Sequence, residues 1–124
     1  MDFKATSSNA VFYIGESNGS TYECQSRVVM PPHQNKGVAT YYTNGSQSVT
    51  GRVNNTAYSL DTSKWYHLKV TRIGNVLTAQ ILDGDTVIAT ATDNNVTGTT
   101  GNVSWHNYVQ TGTMYWKNIL FIRL

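Results

Sequence analysis

Residues 65–92 read WYHLKVTRIGNVLTAQILDGDTVIATAT, and the period of this stretch decides the fold class. Tyr66, Leu68 and Val70 alternate with His67, Lys69 and Thr71. A period of two puts one set of side chains on one face of a strand and the other set on the opposite face. Gly74-Asn75 interrupts the pattern, which resumes with Leu77, Ala79 and Ile81 against Thr78 and Gln80. Asp83-Gly84 makes the next turn and TVIATAT the next strand. Two tight turns between alternating runs predict three antiparallel strands in a meander.

The rest of the chain follows the same period. NAVFYIGE is a β-branched and aromatic run closed by the turn-former SNGS. TYECQSRVVM follows and ends at Pro31-Pro32, which cannot continue a ladder. GVATYYT is a strand closed by Asn44-Gly45, and SVTGRVN and NTAYSL read as short polar strands. TGTTGNVSWHNYVQ and TMYWKNILFIRL complete the series. No window keeps apolar residues at helical spacing. Roughly nine strands with turns every ~8–12 residues predict an antiparallel sandwich or barrel. In the last run, Tyr115, Ile119 and Phe121 share one face, and Trp116, Leu120 and Ile122 the other. Two apolar faces predict a strand over 113–124 covered on both sides, once by the core. The second cover would be a loop, another copy of the chain or an adjoining domain.

Composition narrows the function classes. The 124 residues suit one domain, 1–124. Because KNILFIRL stops inside a strand, that domain reads as a module of a larger surface or virion protein. Charged residues are only 13%, against about 25% in an average domain, and Asn, Thr, Ser and Gly take their place. Such a surface of hydroxyls and amides is common on all-β extracellular and virion proteins. The net charge of +2 and the scattered nine Lys and Arg argue against nucleic acid. Nothing approaches the ~18 apolar residues of a membrane-spanning helix, so no membrane insertion is expected. Cys24 is the sole cysteine, which excludes an internal disulfide and suits a small buried apolar residue. Five Asn-x-Ser/Thr sequons, at Asn18, Asn44, Asn54, Asn95 and Asn102, reflect this composition.

Taken in order, WYHLKVTR, Gly74-Asn75, LTAQILDGDTVIATAT, TGTTGNV and YWKNILFI resemble the C-terminal half of the concanavalin A-like lectin/glucanase sandwiches. Their laminin-G-like and glycan-binding branches are the most similar. Trp65 stands where that family opens a strand. Gly98 and Gly101 stand at its Gly-x-x-Gly turn, and Asn118 precedes the apolar residues of its last strand. DFKATSSNAVFYIG resembles an early strand pair of the same fold. The resemblance implies an antiparallel two-sheet β-sandwich of jelly-roll type, and either sugar binding or glycoside hydrolysis.

Hydrolysis needs two carboxylates flanking the bond. The chain has only Glu16, Glu23, Asp2, Asp61, Asp83, Asp85 and Asp93, and no Glu-x-Asp-x-x-Glu strand. No serine sits in a nucleophile-elbow context. Catalysis is therefore not expected. Asp83 and Asp85 flank Gly84 in a turn, which is ordinary hairpin chemistry. Calcium would need more ligands from another loop, so no cofactor is expected.

Eight Tyr, three Trp and three Phe remain. Sugar rings stack on flat side chains, and their hydroxyls pair with amides and imidazoles. TYYTNGSQ, SWHNYVQ and MYWKN combine both chemistries, and the first two supply the expected site. Tyr108 and one of Tyr41 or Tyr42 are the stacking candidates, with polar contacts from His106, Asn107 and Gln110. Alternation assigns Trp105 to the core and His106 with Tyr108 to the surface. Such a site is shallow and neutral, and its affinity depends little on salt. The expected function is a non-catalytic, lectin-like carbohydrate-binding or adhesion module on a cell surface or virus tail. Its partner would be a glycan or surface polysaccharide. The alternative is a structural virion or surface-layer protein whose sandwich faces bind copies of itself.

Overall fold

The computed structural model describes the backbone of residues 1–6, 10–17, 22–29, 37–43, 49–54, 60–94, 102–109 and 113–122, and the side chains of 1–6, 60–92, 94 and 113–122. Among the described residues all regular structure is strand, and none is helix. The strands are β1 (Asp2–Ala5), β2 (Ala10–Ser17), β3 (Tyr22–Val29), β4 (Gly37–Thr43), β5 (Val49–Asn54), β6 (Tyr66–Ile73), β7 (Val76–Asp83), β8 (Thr86–Asp93), β9 (Asn102–Val109) and β10 (Met114–Lys117).

One antiparallel five-stranded sheet runs in the order β10-β1-β6-β7-β8. The meander expected from residues 65–92 forms its β6-β7-β8 half. Leu68 faces Ile81, and Val70 faces Ala79. Both hairpin loops hold two residues, and Gly74 and Gly84 take the first position at φ 58° and 59°. Positive φ at that position is what a type II′ loop requires, and glycine adopts it without a Cβ clash. The second loop therefore comprises Gly84-Asp85, one residue later than the Asp83-Gly84 reading, because Asp83 still pairs with Thr86.

β1 enters from the far end of the chain and fills the space between β6 and β10. Asp2 and Phe3 pair with His67 and Tyr66 on one side and with Lys117 and Trp116 on the other. Met1 extends the ladder, accepting from the Leu68 amide at 2.8 Å. One face of the sheet carries the core: Phe3, Tyr66, Leu68, Ala79, Ile81, Ala89, Ala91 and Met114 are buried. Phe3 sits between two tilted rings, with centroids 6.0 Å from Tyr66 and 5.6 Å from Trp116. The Tyr66 hydroxyl is satisfied by accepting from the Asp61 amide at 2.9 Å.

Two expectations are corrected. The last strand does not run through KNILFIRL: β10 ends at Lys117, and residues 118–122 are irregular. Asn118 has φ 53°, a left-handed conformation that asparagine tolerates better than most residues and that breaks the strand. Ile119, Leu120, Phe121 and Ile122 are 40–71% exposed, and Tyr115 is half exposed. The NTAYSL strand is also not borne out at its end: Leu60 is irregular, and residues 55–59 lie outside the described residues.

Candidate functional site

The outer face of the sheet carries a shallow, open groove of about 540 Å³. Four strands and one loop build it, β7 contributing Leu82. Asp2 comes from β1, His67 and Lys69 from β6, Lys117 from the end of β10, and Asp85 from the β7–β8 loop. Period two explains the side. His67 and Lys69 alternate with the buried Tyr66 and Leu68, and Asp2 alternates with Phe3.

Trp65 stands at the rim, where Asp61 sets the entry to β6. The Asp61 carboxylate accepts from the Ser63 amide at 2.8 Å and from the Ser63 hydroxyl at 2.6 Å. That local turn brings the chain round before the strand starts. Lys64 pairs with Asp83, tying this turn to the end of β7. Trp65 is left 38% exposed, with the Lys117 ammonium 4.2 Å from its ring centroid. A cation over an indole face is an attractive electrostatic contact.

Asp2 is the electrostatic centre of the groove. His67 Nδ1 donates to one carboxylate oxygen at 2.7 Å, and the Asn118 amide donates to the other at 2.6 Å. An ionised carboxylate can only accept, so the His67 ring carries its proton on Nδ1 and leaves Nε2 facing elsewhere. The His67 and Asn118 donors hold the Asp2 carboxyl below the usual carboxylate range, against a small opposing effect of burial.

This has a consequence for stability. A lowered folded value means that Asp2 stabilises the fold fully above the unfolded pKa of about 3.9. The contribution is lost as pH falls through the lower folded value. Asp2→Asn should therefore cost about 1 kcal/mol at pH 7, a partly exposed charge-assisted bond being worth less than a buried one. The gap between variant and wild type should close at strongly acid pH. Urea midpoints at pH 7 and pH 2 measure it, and an equal gap at both would show that the Asp2 charge does not act this way.

Of the residues expected from sequence, Tyr41 and Tyr42 lie in β4, and His106, Asn107 and Tyr108 in β9. Gln110 lies outside the described residues, as do Gly98 and Gly101. The backbone does not make β4 and β9 neighbours: pairing links β9 to β2, β2 to β3 and β3 to β4. The sequence does not place the groove residues Asp2, Trp65 and Lys117 together, nor Asn118 beside Asp2. Its signal is partial: MYWKN, with Lys117 and Asn118, combines aromatic and amide chemistry, and parity sets His67 opposite the apolar residues of its strand. Among the described residues no three His, Cys, Asp or Glu side chains gather where they could hold a metal ion.

No family model, curated protein or solved structure matches this chain.

Proposed function

We propose that the chain is a non-catalytic, lectin-like carbohydrate-binding or adhesion module, built as a concanavalin A-like two-sheet β-sandwich and displayed on a cell surface or virus tail. The observation that carries this reading is the groove beside Trp65. It joins a part-exposed indole to a carboxylate, an imidazole and ammonium groups, the mixture of flat apolar and hydrogen-bonding surface that a sugar needs.

Two observations support the sandwich. Ala79, Ala89 and Ala91 are at most 3% exposed. A methyl group on a pleated face is poorly shielded by its flat neighbours, which supports a second layer over it. β4 approaches β7 and β8, and β5 approaches β8, which suits β5-β4-β3-β2-β9 as that layer. Against hydrolysis stands the state of Asp2. A general acid needs a raised pKa, and this carboxylate is held ionised by its two donors.

Titration of a panel of surface oligosaccharides, followed by amide chemical shifts, tests the reading. Trp65→Ala should weaken binding about tenfold or more, equivalent to about 1.4 kcal/mol. Equal binding by a folded Trp65→Ala protein would remove the groove from the site. If the wild-type protein binds no sugar, the structural virion or surface-layer reading takes its place. That second reading has its own support in the exposed run Ile119–Ile122, which follows the edge strand β10. A stable oligomer in sedimentation, lost in Leu120→Asp, is its signature.

A further inference from the structure

We propose that Lys117 makes the groove beside Trp65 selective for an acidic saccharide, one that carries a carboxylate or sulfate group next to the ring that stacks on the indole. The inference rests on the lectin-like reading and names the ligand class of that same groove. Its basis is an ion pair that the fold offers and does not make. Lys117 is the direct cross-strand partner of Asp2 on the β10–β1 ladder. Opposite charges placed in that way attract one another. Here the two oxygens of Asp2 accept from His67 Nδ1 and from the Asn118 amide instead. The Lys117 side chain passes over β1 and brings its ammonium to 4.2 Å from the Trp65 ring centroid.

That position leaves the ammonium with donors to spare. The ion pairs among the described residues are Lys64 with Asp83 and His67 with Asp2, and Lys117 belongs to neither. An ammonium has three N–H donors, and an indole face attracts the charge without offering a lone pair to any of them. Lys69, exposed on β6 two residues beyond His67, adds a second cation to the groove. It too has no carboxylate partner among the described residues. Asp85 is the other carboxylate in the lining. It comes from the β7–β8 loop, on the opposite side of β6 from β10.

Neutral and acidic sugars meet this arrangement differently. A neutral ring that stacks on the covered face of Trp65 must push the ammonium aside, and no ionic contact replaces the one it breaks. An acidic ring needs the same movement, but its anion then accepts charge-assisted hydrogen bonds from the displaced ammonium. Lysine suits this role, since its flexible four-carbon stem lets the charge move while the backbone of β10 stays paired to β1. The groove therefore departs from the neutral, salt-insensitive site expected from TYYTNGSQ and SWHNYVQ.

The experiment titrates the whole chain with three oligosaccharides of equal length: oligogalacturonate, its neutral methyl ester and a sulfated galactan fragment. The two acidic probes distinguish carboxylate from sulfate. Lys117→Gln and Lys117→Arg are compared with wild type and with Arg72→Gln, a charge-matched change near the far end of β6 and outside the groove. Circular dichroism checks that each variant is folded. The expected result is that wild type binds an acidic probe at least tenfold more tightly than the methyl ester, and more weakly as salt is added. Lys117→Gln should lose at least tenfold on the acidic probe and nothing on the ester. Lys117→Arg should keep the preference, and Arg72→Gln should stay within twofold of wild type. Equal or tighter binding of the ester by wild type overturns this proposal and leaves the lectin-like reading standing. An equal loss in Arg72→Gln overturns it as diffuse charge attraction. No binding of any saccharide by wild type overturns both.

Discussion

Phe3→Ala should lower the free energy of unfolding by about 3–5 kcal/mol, the range for deleting a large aromatic side chain from a packed core. Phe3 is fully buried, and its ring lies between Tyr66 and Trp116. Removing it opens a cavity at the junction of β1, β6 and β10 and withdraws contact from both flanking rings. β1 is only four residues long, so few other contacts hold it in place. The measurement is urea unfolding followed by tryptophan fluorescence. A loss below about 1 kcal/mol would mean that β1 is not seated in this sheet.

Leu68→Ala should cost about 2–5 kcal/mol. Leu68 is 1% exposed and faces Ile81 on the neighbouring strand. His67, one residue away, lies on the outer face and loses little packing on truncation. His67→Ala should cost about 1 kcal/mol, the ordinary worth of its hydrogen bond to Asp2. The contrast between adjacent positions tests strand parity directly. A one-residue slip would exchange the two costs, because it moves every side chain to the other face.

Different parts of the fold were legible in the sequence to different degrees. The β6-β7-β8 meander was legible because alternation and loop glycines are local signals. Of its inward residues, Tyr66, Leu68, Leu77, Ala79 and Ile81 are buried, and Val70 is partly buried against them. The last strand was misread because Ile119–Ile122 has the composition of a strand. One left-handed residue, Asn118, ends the pairing, and its amide is occupied by Asp2, far away in sequence. Of the groove, parity could supply only His67 and Lys69. No local pattern connects Trp65 with Lys117.

By itself the sequence determined the strand character of the described residues, the faces of the meander and the places of its two turns to within one residue. These depend on side-chain period and on the backbone freedom of single glycines, both properties of a few consecutive residues. Only the tertiary structure decided that β1 lies between β6 and β10. That arrangement brings together Asp2, His67 and Asn118 and lays Lys117 over Trp65. Strand pairing across such separations is chosen by burial of Phe3 against Tyr66 and Trp116, weighed against the entropy of closing long loops. That balance belongs to the whole chain, and no short stretch of it carries the answer.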